Sequence, residues 1–400
     1  MLKMELFVLY DGIVKHLLIS FLVCLVMMPI AMYLARKVGL LDKPNTRKNH
    51  IGSTPLVGGI CIFASLCIVS VLTGKVWGGS TLLFWLFVVL CVGVLDDFLD
   101  VSVALRVAVH LVVVVGIWLT NGLVVSSIGS ILSPESTVIF SVIFGLMFTV
   151  VAVIGAINTV NMIDGIDGLL GSLVIISLCA LLLWKTAVTN QSLADNSIFD
   201  SQDLLVLLGS VAAFLVFNLR LIKGHCAKVF LGDAGSTFLG FVLVYIVIDY
   251  SQGQHAIFSP VVAGWLIGLP LLDASAVIVT RIIKRQSPVT PANDHMHHLL
   301  HERGFDVNRV VLIMASIHAV MIVIAYSVSV VTPAYSDLLL FWGFLLLVVF
   351  RVVLGYRASE SPVTHYSRSF EEYAIPDTKR GAALSTGRAV KASSSGKATA

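Results

Sequence analysis

Long apolar runs alternate with short polar ones from about residue 12 to residue 355. The apolar runs predict spans near 12–34, 56–73, 80–95, 104–120, 137–157, 168–187, 203–219, 235–250, 259–280, 309–331 and 336–355. Most approach the roughly 20 residues a helix needs to cross a hydrocarbon core, and 80–95 is short for one. The expected fold is all-α, a polytopic bundle of about 11 transmembrane helices. The first run is too long, and lacks the basic start, for a cleaved signal peptide, so it is expected to remain as an anchor. The pattern stops after Tyr356, and residues 381–400 are small, polar and basic, unable to bury a core. The expected organisation is a membrane domain over 1–356 and a disordered cytoplasmic tail over 357–400.

Composition strengthens the membrane reading. Hydrophobic residues make up 58% of the 400, charged residues 12%, and the mean hydropathy is +0.97. A soluble domain carries about 25% charged residues. The net charge of +3 says little, but its distribution is lopsided: 22 of the 26 Lys and Arg fall in alternate connections and the tail. Lys3, Lys15, Lys75 and Lys185 are the four on the other side. Basic residues gather on the cytoplasmic face, which puts the N-terminus outside and the C-terminus inside. Five of the six cysteines lie in apolar runs, where they act as small apolar residues, and Cys226 lies in a connection. No CxxC pair or zinc-ribbon spacing is present.

Four polar clusters interrupt the pattern, and threading the spans in order brings all four to the cytoplasmic side. Ionisable groups at a bilayer rim are costly, so their grouping points to one polar site. The first cluster is LDDFLD, where Asp96 and Asp97 cannot both ionise cheaply without a nearby cation. Asp100 stands one helical turn beyond Asp96. Such a set suits Mg²⁺, which binds through a few carboxylates plus substrate phosphates. A solvated helix cap is the plain alternative.

The second cluster spaces Asn158, Asn161, Asp164 and Asp167 three apart, which on a helix gives one polar stripe. Gly165 and Gly168 leave room for a ligand or backbone to come close. The stripe would read a base and ribose or share a metal; a polar-capped helix break is the alternative. The third cluster, Gly232-Asp233-Ala234-Gly235-Ser236, is a glycine-rich lead into a helix N-terminus, which favours an anion. Asp233 would repel a bare phosphate, so a metal-bound diphosphate fits better, with Phe230 placed to stack on a base. A simple N-cap at Asp233 is the alternative.

The fourth cluster holds His295, His297, His298 and His301, four of eleven histidines. No thiolate or HExxH spacing accompanies them, which argues against zinc. A cationic loop that meets phosphate or sugar, helped by Arg303, competes with an ordinary interfacial loop. The basic run at 43–50 sets topology, and Lys48 or His50 within it is a candidate phosphate ligand. Asp273 lies inside the ninth span, where a carboxylate costs roughly 2.5–3.5 kcal/mol on insertion scales, so it must face the interior. His110 and His318 read as core histidines.

Taken together, DKPNTRKNH…PLVGG at 42–59, LDDFLD, NTVNMIDGIDGLLG, KVFLGDAGST and HMHHLLHERGF resemble the polyprenyl-phosphate N-acetylhexosamine-1-phosphate transferase family. The likeness runs from about Arg36 to Tyr356 and is greatest to the bacterial branch that uses undecaprenyl phosphate and UDP-N-acetylglucosamine. That branch starts O-antigen and enterobacterial common antigen assembly at the inner membrane. The resemblance implies that Asp96 and Asp97 match an acidic pair linked to metal and to the lipid phosphate. It implies that Asn161, Asp164 and Asp167 match the nucleotide-site stripe. Asp233 matches a direct Mg²⁺ ligand and Phe230 an aromatic that stacks on uracil. His295, His297 and His298 match a loop over the diphosphate and sugar.

The implied cofactor is Mg²⁺, with Mn²⁺ as a substitute. The implied partners are UDP-N-acetylglucosamine, undecaprenyl phosphate and membrane lipid, with no nucleic acid; a homo-oligomer is compatible with the sequence. Met296 stands where the peptidoglycan relative has an unbroken histidine run, which favours a plain N-acetylhexosamine over a muramoyl-pentapeptide. In the expected reaction a lipid-phosphate oxygen attacks the β-phosphorus and UMP leaves, with Asp96 or Asp97 taking the proton or forming a covalent intermediate. The competing classes are that muramoyl-pentapeptide transferase and a polytopic transporter, whose site should sit near the midplane between repeated halves.

Overall fold

A computed structural model describes residues 2–42, 53–189, 198–220, 226–253, 256–287 and 294–360. Lys48, His50 and the tail beyond 360 lie outside the described residues. The chain runs through α1 (Leu2–Val38), α2 (Gly58–Thr73), α3 (Ser80–Leu99), α4 (Val103–Asn121), α5 (Val142–Ile163), α6 (Leu169–Thr189) and α7 (Ser201–Asn218). It continues through α8 (Gly232–Asp249), α9 (Pro260–Leu266), α10 (Gly268–Ile283), α11 (Met296–Glu302), α12 (Val307–Val331) and α13 (Ser336–Glu360). Among the described residues nine helices are long and apolar enough to cross a membrane. The α9–α10 pair makes a tenth candidate, and α2 is a shorter apolar helix of 16 residues. The protein is a multi-pass helical membrane protein, and each of the eleven expected spans has its helix or helix pair.

Three expectations about those spans are corrected. The third span does not stop at 95: α3 continues to Leu99 and carries Asp96 and Asp97 in its last turns. The fifth does not begin at 137, because 136–139 is strand β4 (Ser136–Ile139), paired antiparallel with β3 (Ser127–Ser133). Ser141 then accepts the Phe144 amide and starts α5, which reaches Ile163. The ninth is not one straight helix, since α9 and α10 meet at Ile267 with an 87° bend. The bend frees the Leu266 carbonyl, which accepts the Ser177 hydroxyl of α6 at 2.7 Å. Backbone freed from a helix inside a bilayer needs such a partner.

Helix α8 is the centre of the bundle. Every residue from Ala234 to Ile248 is buried, and α3, α5 and α2 pack around it. Within lipid there is little hydrophobic drive between helices, so close backbone packing holds them, and small residues permit it. A Cβ on Gly59 would lie 2.2 Å from the Gly235 Cα, and one on Gly93 would lie 2.3 Å from the Ala234 Cα. These glycines bring α2 and α3 against the first turn of α8. The outer faces are apolar and exposed, as with Leu18, Leu22, Val26 and Ile30 on α1 and Leu339, Trp342, Leu346 and Phe350 on α13. That is the pattern of a lipid-facing ring.

Candidate functional site

The helices alternate in direction, so the C-terminal ends of α3, α5 and α7 and the N-terminal ends of α2, α4, α6 and α8 meet at one end of the bundle. At the centre is the first turn of α8. Asp97 reaches it from α3 and accepts the Asp233 amide at 2.8 Å and the Ala234 amide at 3.2 Å. It thereby caps α8 from another helix, meeting the donors a helix N-terminus leaves unpaired. The plain alternative of a local N-cap at Asp233 does not hold: Leu231 occupies that position with no side-chain cap, and Asp233 lies inside the first turn. Gly232 allows the approach, with φ +73° and no Cβ to strike the Asp97 carboxylate.

Asp96 is buried beside it. Its carboxylate accepts the Arg106 guanidinium of α4 at 2.5 Å and the Val101 amide at 2.8 Å. The same guanidinium lies 4.0 Å from Asp233, whose side chain is 40% exposed and open to a ligand. Asn161 holds Asp233 in place, donating to its Oδ1 at 2.7 Å and to Ser236 Oγ at 2.8 Å. Asp164 caps the end of α5 and makes no side-chain hydrogen bond or ion pair among the described residues. Burial, with the charges of Asp233, Asp167 and Asp97 around it, pushes its carboxyl well above the ordinary range.

The expected four-residue stripe is only partly formed. Helix α5 ends at Ile163, so Asp164 and Asp167 stand on a turn. Asn158 is exposed and donates to its own helix at Ile154. Asp167 is held by Arg220 at 2.6 Å and by the Ala227 amide at 3.3 Å, which makes it a tie between loops. Asp100 is also outside the cluster, exposed at the left-handed cap of α3 with φ 52°.

The histidines form the short helix α11. His297 is buried, and its Nε2 would lie 2.6 Å from a Cβ on Gly165, so that glycine is what lets α11 close onto the α5–α6 turn. Burial, with the neighbouring His298, holds His297 down at about 3, so it is neutral at ordinary pH. Burial and His295 lower His298 as well. The rings of His295 and His297 stack at 5.9 Å, and those of His297 and His298 lie 4.1 Å apart. His295 donates from Nδ1 to Asp273 at 2.9 Å. Arg303 is exposed at the end of α11. Phe230 is partly buried against the core, and its backbone bridges to Leu56.

Several residues that organise the site gave no motif in the sequence. Arg106 was visible only as the single base in its connection. Asn218 accepts the Gly168 amide at 2.7 Å and donates to the Val229 carbonyl at 2.8 Å, sewing two site loops together. Arg351 of α13 and Asp273 of α10 hold the start of α11.

The donor set suits a divalent cation. Asp96, Asp97, Asp164 and Asp233 converge with Arg106 as the guanidinium among them, leaving an excess of negative charge. Among the described residues no three such side chains form a ready cage. Mg²⁺ does not require one, since it takes one or two carboxylates and completes its shell with water and substrate phosphates.

Comparison with known proteins follows the same lines. The profile of glycosyl transferase family 4 matches residues 80–251, the stretch from α3 to just past α8. The undecaprenyl-phosphate alpha-N-acetylglucosaminyl 1-phosphate transferase of Salmonella typhi is 35% identical over 351 residues, covering 86% of this chain and 90% of that protein. The enzyme of the same name from Escherichia coli O157:H7 is 34% identical over 80% of this chain and 84% of its own. That of Haemophilus influenzae is 36% identical over 75% and 81%.

Proposed function

Because this chain belongs to the undecaprenyl-phosphate alpha-N-acetylglucosaminyl 1-phosphate transferases of glycosyl transferase family 4, we propose that it moves N-acetylglucosamine 1-phosphate from UDP-N-acetylglucosamine to undecaprenyl phosphate. The leaving group is UMP, and the step opens lipopolysaccharide-type glycan assembly. The chain is a membrane glycosyl-1-phosphate transferase. The observation that carries the chemical reading is the gathering of four carboxylates and Arg106 around the first turn of α8. This cluster sits at helix ends, where a lipid headgroup and a soluble nucleotide meet; a transport site belongs near the midplane. The excess of basic residues in the connections at this end supports a site facing the cytoplasm of the inner membrane.

Phosphoryl transfer needs positioning and charge neutralisation more than covalent help. Asp233, the exposed carboxylate, and Asp164, the unpaired one, are the residues that would hold Mg²⁺, which when bound neutralises the diphosphate. Asp97 acts through α8 by keeping its amides satisfied and Asp233 in place. Asp96 holds Arg106, whose guanidinium faces the same space. The lipid phosphate, with a second pKa near 6, gives up its proton with little help from a base. His297 and His298, held toward the neutral form, offer hydrogen bonds to sugar or phosphate.

The test is a reaction of purified protein with undecaprenyl phosphate and UDP-N-acetylglucosamine, with and without Mg²⁺, resolved by chromatography. UMP release dependent on Mg²⁺ is expected. UDP as the main product would overturn attack at phosphorus, and full turnover in excess EDTA would overturn the metal. Efficient use of a muramoyl-pentapeptide donor would place the chain in the peptidoglycan branch.

A further inference from the structure

Asp273 is 1% exposed in the first half of α10, and its two oxygens are crowded with donors. Oδ1 accepts Arg351 Nη2 at 2.9 Å, Arg351 Nε at 3.2 Å and the Met296 amide at 3.0 Å. Oδ2 accepts His295 Nδ1 at 2.9 Å and the Met296 amide at 3.1 Å. Arg351 Nη2 also donates to the Asp294 carbonyl at 3.0 Å. Arg281, about two turns beyond Asp273 on α10, grips the Asp294 carboxylate at 2.9 and 2.6 Å. Residues 294–296 are thus clamped by α10 and α13 together.

The clamp has a chemical consequence. An ionised carboxylate only accepts, so the proton on the near side of His295 must sit on Nδ1. Nε2, which makes no hydrogen bond to any described residue, is the ring's open end. The geometry points to Asp273 and Arg351 as positioning residues for the transfer, fixing the tautomer and orientation of His295 so that the Nε2 lone pair meets a hydroxyl or amide hydrogen of the sugar nucleotide. This deepens the reading above and rests on it. Arg351 is what lets a buried Asp273 stay ionised, and an ionised Asp273 is what holds the Nδ1 proton. The last membrane helix therefore contributes to the site without lining it.

The experiment compares steady-state constants of wild type, Asp273→Asn, Arg351→Lys, His295→Ala and Asp273→Asn in the His295→Ala background. An asparagine amide also donates, which releases the tautomer, and a lysine keeps the charge but loses the fork. Asp273→Asn is expected to raise the KM for UDP-N-acetylglucosamine about fivefold or more and Arg351→Lys by a lesser factor, with the lipid-phosphate KM within about twofold of wild type. In the His295→Ala background Asp273→Asn should add no further rise, because residues acting through one group are not additive. A merely structural role would lower kcat through loss of folded enzyme and leave the donor KM unchanged, and that result overturns the inference. So does an equal rise in donor KM in both backgrounds. If Asp273→Asn does not accumulate, Arg351→Lys carries the same comparison. A wild type that releases no UMP overturns both the reaction and the inference, whereas a working wild type with unchanged donor KM in the variants overturns only the inference.

Discussion

Asp96 and Asp97 are adjacent in the chain and do different things. Asp97 spends both oxygens on the amides of α8, and Asp96 spends its own on Arg106 and Val101. Asp97→Ala should therefore cost stability as well as activity, by about 0.5–2 kcal/mol for a lost cap. Thermal unfolding in detergent would show it. Asp233→Asn should abolish turnover with a melting temperature near wild type, because its side chain reaches outward. Asp164 predicts a pH effect on stability of definite sign. Its folded pKa lies well above the ordinary 3.8, so the folded state holds a proton that the unfolded state releases. Stability from this group is complete below 3.8 and is lost as pH rises toward the folded pKa. Without added metal, Asp164→Asn should melt higher than wild type at neutral pH, and the difference should vanish near pH 4. A difference that grows toward acid would contradict the burial of this carboxyl.

At the scale of the element, the site depends on how closely α3 and α2 approach α8. The gap at Gly93 has no room for a methyl group, since its Cβ would fall 2.3 Å from the Ala234 backbone. Gly93→Ala must push α3 from α8 and carry Asp97 away from the amides it caps. Overpacking of this kind costs about 1–3 kcal/mol, and activity should fall with it. Gly155→Ala on α5 is the control, because a Cβ there meets nothing within 4 Å and the added helix propensity is favourable. Equal melting temperatures for the two variants would show that the helices slide apart at no cost.

For the whole molecule, orientation and extent are both open to test. Cys226 is a native exposed thiol beside the site, so a membrane-impermeant maleimide should leave it unlabelled in intact cells and label it after permeabilisation. Labelling from outside would invert the topology. Deleting residues 361–400 should keep activity within about tenfold, or roughly 1.4 kcal/mol in the barrier. Deleting from Ser336 onward should abolish activity, because it removes the whole of α13 from its packing on α10 and α12 together with Arg351. Activity in the shorter chain would show that neither the packing of α13 nor Arg351 is needed for the site.

The sequence by itself determined the class of molecule, the number of apolar segments and the gathering of its carboxylates at one end. Those follow from local composition: apolar length sets a span, and a strict alternation of directions sends every second connection to the same side. It determined the candidates Asp96, Asp97, Asp164 and Asp233 for the same reason, since a carboxylate at a bilayer rim is costly without a use. Only the tertiary structure decided which of them are engaged and which are open. A helix cap supplied by Asp97 from another helix, a guanidinium from Arg106 and the grip of Asp273, itself held by Arg351, on His295 join residues up to 137 positions apart. No period or spacing along the chain encodes such pairs. The bend at Ile267 and the early end of α5 escaped the pattern because both lie within or beside continuous apolar runs. There the choice between one helix and two rests on hydrogen bonds from other helices, as with Ser177 and the Leu266 carbonyl.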